Sequence, residues 1–266
     1  MTALLLPWAV SAALMAAVMT AAFLTQQKTG QGGWADAFWA LGLGAAGVLV
    51  ALWPVDGAPN ARQYLCAALI GIWGLRLGTH IAKRAAKEDE DARYAKLRSE
   101  WGTSYRAKMF GFLMLQAGAA SVLVLGVLVA AHNPAPALSI QDILATALFV
   151  VAISGEALAD RQLAAFKVDP ANHGKICDKG LWAWSRHPNY FFEWLGWCAW
   201  PVFALNFGGD WHWGWAALIP PLYIYWLLNA VSGVPLVEAH MKRTRPEAFA
   251  AYSARTSRFF PRPPRA

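Results

Sequence analysis

The sequence predicts an all-α, polytopic membrane protein of about seven transmembrane helices, and three observations predict it. First, 57% of its 266 residues are hydrophobic and only 15% are charged, and the apolar residues fall in long uninterrupted blocks. Second, those blocks lack the apolar–polar alternation of barrel strands. Since lipid offers the backbone no hydrogen-bond partners, they must be helices. Third, the basic residues collect in alternate connections between blocks.

The predicted spans are 4–24, 35–53, 63–82, 109–131, 142–159, 190–206 and 213–237. The first has no positive flank before it and no small-residue cleavage site after it, so it reads as a retained helix rather than a signal peptide. The second contains Gly42-Leu43-Gly44-Ala45-Ala46-Gly47, which spells a dinucleotide fingerprint. It follows no strand, and small residues for close helix packing explain it better. Pro201, Pro220, Pro221 and Pro235 fall in or beside the last two spans, where kinks are expected. The whole chain, 1–266, reads as one bundle and one domain.

Lys28 follows the first span, eight Lys and Arg lie in 83–108, five follow the fifth span and seven lie in the tail. Those 21 residues share one side; only Arg62 lies on the other, and Arg76 is inside a span. The positive-inside rule then puts the N-terminus outside and the C-terminus in the cytoplasm. The formal charge of +7 thus follows the membrane faces, and no nucleic-acid partner is implied. Cys66, Cys177 and Cys198 are dispersed, so neither a disulfide framework nor a metal site is expected.

Three constellations could carry chemistry. On the third span Trp73, Arg76, His80, Lys83, Arg84 and Lys87 recur every three or four residues. They share one helical face, which could be a cationic wall for phosphates or a snorkelling end paired with the acidic run Glu88-Asp89-Glu90-Asp91. On the fifth span Glu156 and Asp160 are i,i+4 neighbours followed by Lys167. They suit ribose hydroxyls or salt bridges to basic loops. The third is Gly180-Leu181-Trp182-Ala183-Trp184-Ser185-Arg186-His187-Pro188-Asn189-Tyr190-Phe191-Phe192-Glu193-Trp194. Pro188 suits a first helical turn, which leaves Arg186 and His187 at an anion-favouring N-terminus. Asn189 and Glu193 fall one turn apart on a single face. The surrounding tryptophans could line a pocket for a flat cofactor or form an interfacial belt.

That stretch resembles the C-terminal signature of the steroid 5-alpha-reductase family, its bacterial branch in particular. The resemblance runs from Trp73 onward, is strongest over 156–194, and takes in the closing segment Phe249–Tyr252, Arg255 and Phe259-Phe260-Pro261. It implies seven transmembrane helices in the bacterial inner membrane and a cytoplasm-facing NADPH site. Asp160 would lie near the adenosine ribose, and Lys167, Lys175 and Arg186 near phosphates. Asn189 would meet the nicotinamide, with Tyr190, His187 and Glu193 beside it, and Arg76 with His80 would supply basic contacts from the third helix. The implied reaction is hydride transfer to the conjugated C=C bond of a steroid-like lipophilic ketone.

The family's Gln-Glu pair and tyrosine for the ketone correspond here to Gln26-Gln27 and Trp73. With Glu193 these are the catalytic candidates. The family's asparagine on the fifth helix is Glu156 here. A membrane S-adenosylmethionine-dependent methyltransferase of the isoprenylcysteine carboxyl methyltransferase type is the alternative, since it carries a similar Arg-His-Pro-x-Tyr element and could use Glu238 and Arg243. A transporter or scaffold would instead show inverted repeats, and none is found. Besides substrate and membrane lipid, no obligatory protein partner is indicated.

Overall fold

The computed structural model describes residues 2–55, 57–87, 92–206 and 211–265, and all regular structure among them is helical. Six helical segments are long and apolar enough to cross a membrane: Ala3–Thr29, Trp34–Ala51, Ala61–Ala85, Arg93–Ala131, Ile140–Val168 and His212–Thr244. The chain is a multi-pass membrane protein. It divides into two compact units, Met1–Asp142 with Phe203–Pro220, and Ile143–Val202 with Pro221–Ala266.

The first unit holds α1 (Thr2–Thr29), α2 (Trp34–Ala51), α3 (Ala61–Ala85), α4 (Ala92–Trp101) and α5 (Tyr105–Ala131). Helices α1 and α5 run antiparallel: Trp8 near the start of α1 donates to the Ser121 carbonyl at 2.9 Å, and Phe23 near its end meets Phe110 edge-on at 5.3 Å. Helices α2 and α3 meet where neither has a side chain. A Cβ on Gly44 would lie 2.9 Å from the Gly74 Cα, so the glycine-rich run serves helix packing.

Helix α3 opens with a capping box, in which Asn60 and Gln63 each satisfy the other's backbone N–H. The next buried group is Arg62. Its Nε and Nη2 reach the two carboxylate oxygens of Asp142 at 2.7 and 3.0 Å. The remaining hydrogens go to the carbonyls of Asn133, Ala135 and Ala137.

The second unit is organised by one stripe of α6 (Ile140–Val168). Phe149, Ala152, Gly155, Ala159 and Gln162 recur every three or four residues and so share a face. Trp200 packs on Phe149, Gly196 approaches Ala152, and the Phe192 ring occupies the space a Cβ on Gly155 would need. Trp182 donates to the Ala159 carbonyl, and Gln162 accepts from the Leu181 N–H. Those contacts seat α7 (Leu181–Trp184), α8 (Pro188–Trp197) and α9 (Ala199–Ala204).

The span expected at 190–206 is thus two short helices. Proline has no N–H, so Pro201 cannot bond the carbonyl four residues back at Trp197, where α8 ends. The last span is also composite: a 3₁₀ turn (His212–Leu218), α10 (Ile219–Trp226), a π turn (Leu227–Val231) and α11 (Val234–Thr244). Pro220 and Pro221 lie in the first turn of α10 and Pro235 in that of α11, where a missing N–H costs little. Helix α12 (Pro246–Arg255) comes next, and Phe259 and Phe260 pack against Phe191, Trp194 and Tyr225.

Candidate functional site

The turn that precedes α8 is built from long-range bonds. Ser185 is extended and wholly buried; its hydroxyl donates to the Phe259 carbonyl at 2.7 Å and accepts from the His187 N–H at 3.1 Å. Arg186 sends Nε and Nη2 to the same Glu238 oxygen, each at 2.8 Å. Its Nη1 reaches the carbonyls of Thr256 and Ser253, and its guanidinium lies over the Phe249 ring. His187 Nε2 approaches that Glu238 oxygen at 3.2 Å, and its ring stacks on Tyr190 with 6° between planes. Burial pushes the His187 imidazole below its ordinary value, against the upward pull of Glu238. The ring is therefore neutral, with Nε2 carrying the hydrogen, since a carboxylate can only accept.

Pro188 is in the first turn of α8, as its chemistry requires. One turn separates Asn189 from Glu193. Glu193 accepts from Trp197 Nε1 at 2.8 Å. Asn189 is half-buried, and its side chain makes no hydrogen bond among the described residues. An amide in that state holds both a donor and an acceptor ready for a ligand.

Asp160 is half-buried on α6, and Lys167, two turns further along, is exposed, as is Lys175 in the next connection. That connection is stiffened by Asp169, which accepts from the Ala171 N–H, and by Asn172, which donates to the Phe166 carbonyl. The second unit thus brings Arg186, His187, Asn189, Tyr190 and Glu193 into one turn and the helix it opens. Arg186 is bonded on three sides within the protein.

The remaining candidates belong to the first unit. Trp73 is buried and meets Trp39 edge-on at 6.4 Å; Arg76 is half-buried and His80 exposed. Gln26 is buried and donates to the Tyr105 hydroxyl at 2.7 Å, whereas Gln27 is exposed. Successive helical residues point about 100° apart, so adjacent glutamines cannot share one environment. The acidic run Glu88–Asp91 lies outside the described residues.

The sequence assigns no individual role to Tyr105, Ser185 or Tyr252, and it offers Glu238 only for the methyltransferase alternative. Tyr252, whose hydroxyl donates to the Trp182 carbonyl at 2.6 Å, belongs to the tail motif; nothing in local spacing singles out the others. No group of three or more His, Cys, Asp or Glu residues is arranged to hold a metal among the described residues.

Helices long and apolar enough to cross a membrane define a polytopic membrane protein, and a buried polar turn stands at the head of one of its short helices. The family model described as a protein of unknown function, DUF1295, matches residues 22–256. The chain belongs to that family. No curated protein and no solved structure matches it.

Proposed function

We propose that this protein is an NADPH-dependent reductase of the bacterial inner membrane, acting on the conjugated C=C bond of a steroid-like lipophilic ketone. The observation that carries the reading is Asn189: a half-buried amide without a hydrogen-bond partner among the described residues, at the head of a helix whose N-terminus is fixed by a buried charge network. A carboxamide needs one donor and one acceptor from its host, and Asn189 offers both. The residues therefore fit a nicotinamide.

NADPH, when bound, would supply the hydride. Asn189 and Tyr190 would orient its nicotinamide end, with Glu193 fixing the Asn189 face and Asp160 meeting ribose hydroxyls. Exposed Lys167 and Lys175 supply the charge that favours a phosphate-rich ligand, and Arg186 and His187 position the turn. The protein's share of catalysis is orientation and exclusion of water. Buried Gln26 and Trp73 stand as the ketone-end candidates by the family resemblance alone, with Arg76 and His80 as basic contacts on α3.

We take α8 and α9 together as one crossing, giving seven, with the N-terminus outside and the C-terminus cytoplasmic. Supporting this, Arg62, the one basic residue on the outer side, is neutralised by Asp142. Reporters fused after residue 266 should be active in the cytoplasm and those inserted near residue 133 inactive; the reverse removes the cytoplasmic cofactor site.

The methyltransferase alternative draws on Glu238 and Arg243. Glu238 is committed to Arg186 and His187, and Arg243 is exposed beside His240, so the reductase is the better-supported reading. Mass and absorbance of nucleotide co-purifying in mild detergent test the choice. NADP is the expected finding; S-adenosylmethionine or its demethylated product overturns it.

A further inference from the structure

We propose that Glu238 is a positioning residue for the head of α8, and that through it the C-terminal tail is part of the nucleotide site. The proposal rests on the reductase reading above. Glu238 lies in the second turn of α11, 52 residues from Arg186 in sequence, with its side chain 10% exposed. One of its oxygens takes Arg186 Nε, Arg186 Nη2 and His187 Nε2.

The third arm of Arg186 grips the carbonyls at the end of α12. Backbone bonds run beside it: Arg186 N–H to the Ser257 carbonyl at 2.8 Å, and Arg262 N–H to the Trp184 carbonyl at 2.9 Å. With the Ser185 hydroxyl on Phe259, three consecutive residues before α8 each hold the tail.

The residues next along the chain make this turn more than an anchor. His187 stacks on Tyr190, and Pro188 has a fixed φ and stands directly before Asn189. Movement of the Arg186–His187 pair is therefore passed on to the residues proposed to hold the nicotinamide. Aromatic packing of Phe259 and Phe260 would retain the tail without any buried charge. A buried ion network is costly to desolvate and often adds little stability over apolar packing. Its bonds define the direction of the turn, which apolar contacts would not.

Glu238→Gln keeps the volume and removes the charge. The test uses the full-length protein in detergent, with hydrogen exchange over 182–194, 249–262 and 61–85, and NADPH titration followed by tryptophan fluorescence. Exchange should rise together in the first two segments and stay unchanged in the third. The NADPH Kd should rise about tenfold, the scale of losing a charged hydrogen bond. Glu238→Asp, which keeps the charge but withdraws it by one methylene, should give a smaller effect, and it carries the comparison if Glu238→Gln is not monodisperse.

Looser exchange with unchanged NADPH affinity overturns the proposal, because the hub is then only structural. Unchanged exchange overturns it as well. If the unmodified protein binds no NADPH, the reductase reading falls and this proposal falls with it, whereas failure of the proposal alone leaves NADPH affinity the same in the unmodified protein and Glu238→Gln.

Discussion

Each unit buries an arginine against a carboxylate, and the two arrangements differ in what surrounds them. Arg62 and Asp142 are each 3% exposed in their side chains, and the guanidinium is completed by three loop carbonyls. Ser139 adds two further bonds to Asp142. The pair closes a connection and presents nothing to a ligand. Arg186 and Glu238 are nearly as well satisfied, but Arg186 stands three residues before a half-buried amide with no bond of its own among the described residues. A buried ion pair is therefore no functional marker by itself; the polar groups it places beside it are.

The comparison breaks most visibly at the first pair. Asp142→Ala leaves Arg62 charged and buried, and should cost about 3–5 kcal/mol of stability, with turnover per folded molecule retained. The double variant Arg62→Met, Asp142→Leu should recover only part of this, because the carbonyls of residues 133, 135 and 137 lose their donor. Thermal unfolding in detergent measures both; full recovery would mean those carbonyls find other partners.

A smaller loss of the same kind is expected at the α2–α3 contact. Gly44→Val forces side-chain volume against the Gly74 backbone and should cost about 1–3 kcal/mol. Again turnover per folded molecule should be unchanged. A change in nucleotide affinity would instead give the glycine run a role beyond packing.

The smallest effect lies in the second pair and depends on pH. Burial lowers the His187 pKa below its unfolded value, ordinarily near 6.5, so the unfolded chain binds the proton more readily. The stability held by neutral His187 is complete above about pH 6.5 and falls as the pH drops below it, by at most about 1.4 kcal/mol per pH unit. Melting curves from pH 8 to 5 should show this decline in the unmodified protein and a shallower one in His187→Gln. Equal slopes would mean that His187 takes up a proton in the folded state.

Helices α1, α2, α3, α5 and α6 were legible in the sequence because apolar length and polar boundaries are local properties. The break in the 190–206 span was visible only as a proline; its position at Cys198 depends on which carbonyl Pro201 leaves unbonded. Pro188, Asn189 and Glu193 were legible as the start of a helix, since helical spacing is periodic. The Glu238 hub was not, because Arg186 and its partner are 52 residues apart and share no period. Gln26 and Tyr105 are joined across 79 residues, and local spacing is silent there for the same reason. Adjacent Gln26 and Gln27 read as equivalent candidates until burial separated them.

The central claim is that the head of α8 serves a nucleotide and not merely the fold. It is tested most directly by measuring melting temperature and NADPH-dependent enone reduction on the same purified samples of Asn189→Ala and Glu193→Gln, with progesterone as the trial enone. Both variants should melt close to the unmodified protein while turnover falls about a hundredfold, because hydride transfer tolerates little misplacement of the reacting ring. A lowered melting temperature with full turnover per folded molecule would contradict the account and make these residues a helix-packing contact.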